Sequence, residues 1–149
     1  MNAVIDFAGA ADLPAMAELL HELFSLERDF RPQRERQLAG LRLILDDPAL
    51  GRLFVLRIDG HVAGMANALI TISTVQGTPV LLLEDVIVAQ AYRGAGHGRA
   101  LLEHVLDWAH DAGMSRVTLL ADRDNTRALA LYERLGFGTS TMKVLRRML

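Results

Sequence analysis

Leu13, Met16, Leu20 and Leu23 recur at three- and four-residue steps, the spacing of a helix that turns one apolar stripe toward a core. Asp12 stands just ahead of that run and is read as its N-cap. Leu38, Leu41 and Leu45 repeat the pattern and predict a second helix over 33–46. Between the two, residues 25–32 are polar and end in Pro32, which predicts a loop. Residues 2–7, ahead of the first helix, have the length of a short strand.

The period then changes. Residues 52–58 and 61–72 read as two strands joined at Asp59-Gly60, a dipeptide that favours a tight hairpin. Residues 76–79 (QGTP) predict the next turn. The run 80–88 (VLLLEDVIV) is almost wholly aliphatic, as expected of a central strand buried on both faces, and Glu84-Asp85 interrupts it. Farther on, Leu101, Val105, Trp108 and Ala112 mark a helix over 98–112 with Gly113 as its stop. A strand over 116–121 follows, then a short helix over 126–135, capped by Asp124 or Asn125 and ended by Gly136. Whatever strand or strands remain fall to 137–149, a short stretch for two. The order β-α-α-β-β-β-α-β-α-β predicts an α/β (α+β) domain: a mixed central sheet with helices on both faces.

Composition narrows the chemistry. A length of 149 residues fits one domain over 1–149, with 51% hydrophobic and 23% charged residues. The net charge of −2 gives no general attraction to nucleic acid or anionic lipid, and Arg146-Arg147 is too short for a nucleic-acid patch. No apolar run reaches the ~18 residues of a membrane span. The first residues carry Asp6 and no basic side chain, unlike a signal peptide; the expected location is the cytoplasm. With 0 cysteines, disulfides, thiolate zinc sites and an acyl-cysteine intermediate are impossible. The histidines (His21, His61, His97, His104, His110) contain no i, i+4 pair with a third ligand nearby, so no metal site is expected. No Gly-x-Ser-x-Gly elbow of a serine hydrolase is present.

The segment Arg93-Gly94-Ala95-Gly96-His97-Gly98 joins the aliphatic strand to an amphipathic helix. Glycines permit a tight turn and close approach of a ligand to the backbone. The first amides of a helix have no internal partner, and the dipole adds positive charge there. Such a turn suits phosphate or pyrophosphate, although one glycine would serve a plain connection. A P-loop needs Gly-Lys-Ser/Thr, and Arg99-Ala100 follows Gly98. A dinucleotide fingerprint from Gly94 and Gly96 needs glycine where Arg99 stands. Both fail.

The motif that does fit is Arg-x-x-Gly-x-Gly, Arg93 through Gly96 to Gly98. With the surrounding YRGAGHGRALLEHVLDWA and the downstream DNTRALALYERLGF, it resembles the acyl-CoA-binding signatures of the GNAT superfamily of N-acetyltransferases. The resemblance covers residues 80–137, and the element order before them agrees. The stretch from Glu84 to Tyr132 looks most like diamine acetyltransferases, a likeness of the cofactor half.

The resemblance implies acetyl-CoA as cosubstrate, and no metal. Val86, Ile87 and Val88 would pair by their backbone with the pantetheine arm. The amides of Arg93, Gly94, Ala95, Gly96, His97, Gly98 and Arg99 would hold the pyrophosphate. Asn125 would bond the cofactor near its pantetheine end, or cap its helix, or both. Catalysis would be direct attack of an amine on the thioester. An alkylamine titrates near ~10, as lysine does, so it must first lose a proton. Glu84 is the candidate base, directly or through water, because a carboxylate in an aliphatic strand is costly unless it is paired or faces a cavity. Alternation would turn Asp85 to the opposite face. Pairing of both acids with Arg or Lys is the structural alternative. Tyr132 would protonate the leaving thiolate, against the alternative of a core aromatic, and the Val86 amide would meet the oxyanion.

The expected acceptor is a primary amine on a small molecule. Acetylation of protein N-termini or lysines is the alternative, and an acyl-CoA sensor without turnover is a third. Glu22, Glu27, Asp29 and Asp59 would favour a cationic acceptor if they gathered at the cleft mouth. Residues 24–47 and 73–78 should line the acceptor side. Neither nucleic acid nor membrane is expected as partner, and a homodimer stays open.

Overall fold

The structure is a computed structural model that describes residues 2–26 and 33–149. The predicted loop at 25–32 therefore lies mostly outside the described residues, as do Glu27 and Asp29. The elements are β1 (Ala3–Phe7), α1 (Leu13–Leu26), α2 (Arg34–Asp46), β2 (Gly51–Ile58), β3 (His61–Ser73), β4 (Thr78–Val88), α3 (His97–Asp111), β5 (Val117–Leu119) and α4 (Thr126–Arg134). The strands form one sheet in the order β1-β2-β3-β4-β5. All neighbours are antiparallel except β4 and β5, which run parallel.

Alternation divides the sheet's side chains between two cores. On one face Leu53, Val55, Met65 and Ile87 pack against Leu13, Met16, Leu20 and Leu41 of α1 and α2. On the other, Phe54, Ala66, Ala68, Leu81 and Leu83 pack against Leu101, Leu102 and Val105 of α3, with Leu131 and Tyr132 of α4 beside them. Each buried leucine side chain contributes on the order of 2 kcal/mol through apolar area removed from water. The only tryptophan, Trp108, stacks edge-on against Phe54 (5.6 Å) and Phe7 (6.3 Å).

Local chemistry sets the boundaries. Asp59 and Gly60 both take positive φ, 50° and 84°, as a two-residue hairpin of this twist requires. Between β3 and β4 the turn closes earlier than 76–79, because Gly77 N donates to Ser73 O and Gln76 N to Ser73 Oγ. Thr78 and Pro79 thus already belong to β4, with Pro79 opposite Ile72. Gly51 has no room for a side chain, since a Cβ would collide with the carbonyl oxygen of Ala68. Asp12 precedes α1 but does not cap it forward. Its carboxylate accepts from Gly9 N and takes a two-pronged ion pair from Arg57 at 2.7 Å on each oxygen.

The chain's last stretch departs from expectation. Among the described residues no strand follows β5, so the strands expected within 137–149 are not formed. The segment is short and polar where it leaves α4 (Gly138-Thr139-Ser140-Thr141), and its apolar side chains stay exposed: Met142 84%, Leu145 91%, Met148 83%. Among the described residues, no helix is long and apolar enough to cross a membrane.

Candidate active site

β4 is longer than the strand beside it. β5 pairs with it only at Leu81, Leu82 and Leu83, whereas β4 runs on to Val88 along β3. Beyond Leu83 the two strands part, and the β5 side of residues 84–88 faces a gap. A cleft of about 440 Å³ occupies the opening, lined by Leu23, Leu26, Glu84, Val86, Arg93, Leu120, Ala121, Asp122, Asp124, Asn125, Ala128 and Tyr132. Glu84, Val86, Arg93, Asn125 and Tyr132, singled out in the sequence, therefore share one cavity.

Glu84 owes its position to a β-bulge. Asn67 pairs with Asp85 and the next residue, Ala68, with Leu83, so Glu84 has no residue opposite. Two residues facing one interrupt the alternation of a strand. The alternation behind the expected separation of Glu84 and Asp85 is therefore interrupted here, and of the two only Glu84 lines the cleft. Alternation read back from Ile87, which packs toward α1, puts Asp85 on the α1–α2 side beside Asn67. The two carboxylates also differ in depth. Glu84 is exposed to the cleft, and the cost of burying a carboxylate falls on Asp85. Burial, reinforced by the nearby Glu84 charge and opposed by a 2.8 Å bond from Asn67 Nδ2, pushes the Asp85 carboxyl up to about 6. The other amide atom, Asn67 Oδ1, is buried without a hydrogen-bond partner.

Tyr132 lines the cleft, with its ring against Phe137 (6.2 Å). Burial raises its phenol above the ordinary 10.0, so the hydroxyl stays protonated at neutral pH and is a donor. It is also part of the α3-side core, so its catalytic and packing readings are compatible. Asn125 caps α4, its Oδ1 accepting from Ala128 N at 3.2 Å.

The glycine-rich turn contributes Arg93 to the cleft lining. Gly94 and Gly96 have φ of 85° and 84°, which L side chains rarely adopt, and Gly96 is the N-cap of α3. The first bond of that helix runs from Ala100 N to Gly96 O. The amides of His97, Gly98 and Arg99 precede it and have no acceptor within the helix. Gly98 fits between β4 and α4, since a Cβ there would sit 3.8 Å from Val88 Cγ2 and 3.7 Å from Leu131 Cδ2. Arg93 fastens the turn: its Nε donates to Val88 O and its Nη2 to Glu22 Oε1, both at 2.8 Å.

Glu22 is thus committed to Arg93 and does not add free negative charge at the cleft. Asp59 sits in the β2–β3 turn, bound by Asn2 N, and does not line the cleft. Asp122 and Asp124 supply acidic lining that sequence reasoning missed. The dense DRDN run ahead of α4 was the available signal. Among the described residues, no group of three or more His, Cys, Asp or Glu could hold a metal.

The profile of the Acetyltransferase (GNAT) family matches residues 13–137. Streptothricin acetyltransferase of Streptomyces lavendulae is 35% identical over 79 residues, which cover 53% of this chain and 40% of that protein. The [ribosomal protein bS18]-alanine N-acetyltransferase of Escherichia coli (strain K12) is 39% identical over 61 residues, 41% of each chain. This chain spans about two fifths of the length of those relatives. Among solved structures, aminoglycoside N-acetyltransferase AAC(6')-Iy in complex with CoA has a TM-score of 0.82 at 23% identity, covering 99% of this chain and 95% of that one. At that identity the likeness shows the shared fold.

Proposed function

This chain belongs to the Acetyltransferase (GNAT) family, and on that premise we propose that it transfers an acetyl group from acetyl-CoA to a primary amine of a small molecule. The observation that carries the reading is the parting of β4 from β5 beyond Leu83, with Glu84, Val86 and Tyr132 on the resulting cleft. A strand edge with one partner offers the outward backbone groups of the Val86, Ile87 and Val88 stretch to an extended pantetheine arm, with Val88 O already accepting from Arg93 Nε. The unbonded first-turn amides of α3 suit a pyrophosphate, held by the turn Arg93, Gly94, Ala95, Gly96, His97, Gly98 and Arg99. Asn125 keeps its Nδ2 as a donor while its Oδ1 caps α4.

The thioester supplies an activated acyl carbon, and the chain supplies position and proton transfer. Glu84, exposed to the cleft at the crest of the bulge, takes a proton from the entering ammonium, directly or through water, which frees the nitrogen lone pair for attack. The Val86 amide donates to the oxygen that gains negative charge as the new C–N bond forms. Tyr132 then gives its proton to the sulfur as the C–S bond breaks, and its phenolate regains one from the nitrogen, which still carries the extra proton left by the attack. The acidic lining from Glu84 and Asp122 suits an acceptor that arrives as a cation.

Transfer to the N-terminal amine of a protein is a second reading, favoured by the name of the bS18-alanine relative. Both readings are tested by one screen that follows release of the CoA thiol with a thiol-reactive dye. The chain has 0 cysteines and adds no background. Turnover of small amines supports the first reading, and turnover of peptides alone supports the second. If acetyl-CoA binds but no acceptor is turned over, both fall in favour of a non-catalytic sensor.

A further inference from the structure

Acetyl-CoA, held as proposed above, accounts for only part of the cleft lining. The edge of β4, Asn125, Tyr132 and the glycine-rich turn serve it, whereas α1 and the loop between β5 and α4 add Leu23, Leu26 and Asp122. Leu23 and Leu26 stand three positions apart on α1 and so share one face of the helix. Leu23 is partly buried against the α1–α2 core. Leu26 is 65% exposed, although it borders a concavity. A single surface leucine needs no explanation. Two on one helix face, walling a cleft that also holds a carboxylate, mark a place for an apolar group.

Charge on the same walls is sparse. The acids of α1, Glu18 and Glu22, are both paired, with Arg34 and Arg93. Arg93, the cation of the lining, is engaged by Glu22 and by Val88 O. Asp122 Oδ1 accepts from Asp124 N at 2.9 Å, which ties it to its own loop, and Asp124 also has a partner. Among the described residues, Glu84 is thus the cleft acid left without a hydrogen bond or ion pair. One ammonium finds its counter-charge there. A second, carried along the α1 wall, would lose water against Leu23 and Leu26 with no carboxylate to pair it.

We propose that the acceptor is a primary monoamine on an apolar body, its ammonium at Glu84 and its hydrocarbon along Leu23 and Leu26. This rests on the acyl-transfer reading and narrows it. Polyamines and amino sugars, whose bodies carry further charges or hydroxyl groups, are then poor acceptors, because the α1 wall offers those groups no partner. Hydrocarbon laid on the two leucines leaves water, and each methylene so covered raises kcat/KM roughly three- to fourfold.

A homologous series of amines measures this. Ethylamine, butylamine and hexylamine titrate alike, near ~10, so differences in rate report the body and not the nitrogen. With saturating acetyl-CoA, kcat/KM by release of the CoA thiol should climb roughly three- to fourfold per methylene. The amino alcohol and the diamine of hexylamine's length should fall about tenfold or more below it. Leu26 ends α1 with most of its side chain in solvent, so its variants should keep the parent's circular dichroism. Leu26→Asn should flatten the dependence on chain length, and Leu26→Glu should move the preference about tenfold toward the diamine. A rate indifferent to chain length, a parent that prefers the diamine or the amino alcohol, or an unchanged slope in Leu26→Asn overturns the apolar body while acetyl transfer itself stands. If no small amine is acetylated at all, transfer to small molecules falls and the apolar body with it.

Discussion

Asp85→Asn tests how the bulge partitions its two carboxylates. In the folded chain the Asp85 carboxyl titrates near 6, against an ordinary 3.8. A carboxyl whose folded value is raised holds its proton longer when folded than when unfolded. Stability therefore falls as pH rises from about 4 to 6. Above that window the ionised group weighs against the fold by about 3 kcal/mol, because each pH unit separating the two titration points is worth roughly 1.4 kcal/mol. Below about pH 4 both states are protonated and the cost disappears. Asparagine keeps the shape and cannot ionise. Its Oδ1 can accept from Asn67 Nδ2 as Asp85 does, and its Nδ2 can donate to Asn67 Oδ1, now buried without a partner; that new bond adds about 1 kcal/mol. Urea denaturation at pH 4, 5, 6 and 7.5 should show Asp85→Asn more stable than the parent by about 2 to 4 kcal/mol at pH 7.5 and by about 1 kcal/mol at pH 4, with unchanged m-values. Taking the difference between the proteins cancels the opposite slope from Asp12, which the Arg57 hydrogen bonds hold below its ordinary value. A difference that does not vary between pH 4 and 7.5, or an asparagine variant less stable at pH 7.5, refutes the assignment of the buried charge to Asp85.

Glu84→Gln should lower turnover by roughly ten- to a thousandfold in steady-state assays at neutral pH and alter the alkaline-going limb of the rate–pH profile, whereas Asp85→Asn should cost much less activity. Tyr132→Phe should reduce kcat while leaving acetyl-CoA affinity by calorimetry nearly unchanged, because only a transition-state interaction is lost; a large fall in affinity would assign the phenol to binding. Acetyl-CoA should raise the melting temperature more than ATP or NAD at equal concentration, and Gly98→Ala, which needs no positive φ and makes only ordinary contacts, should diminish that rise without unfolding the chain. Gly51→Ala should destabilise by roughly 2 kcal/mol or more, through the clash with Ala68 O, and equal stability would mean that β2 shifts freely against β3.

The helices were legible because their cores are periodic: Leu13, Met16, Leu20, Leu41, Leu101 and Val105 all fall where the apolar spacing put them. The glycine turn was legible because positive φ leaves a compositional mark. The Glu84–Asp85 geometry was not, because a bulge is a mismatch between two strands and β4 alone carries no trace of it; only the pairing of Asn67 and Ala68 reveals the extra residue. The ion pair of Glu22 was illegible for a similar reason. Its partner Arg93 stands 71 positions away, and a lone acid on a helix gives no sign of such a distant partner. The final segment misled in the other direction: its apolar residues suit a strand, but a strand also needs an edge to pair with, and sequence does not say whose.

The bulge also limits how this cleft can change. Substitution can alter the chemistry displayed at position 84 but cannot move the display, because the extra residue exists only as a difference in count between β3 and β4. A one-residue deletion in β4 between Leu83 and Asp85 would restore unbroken pairing, leave a regular sheet, and withdraw the protruding side chain in a single step. An insertion in β3 opposite would do the same. The position is thus protected against gradual drift and vulnerable to the loss or gain of one codon, so descendants of this chain should either keep the protrusion where it is or lose it outright.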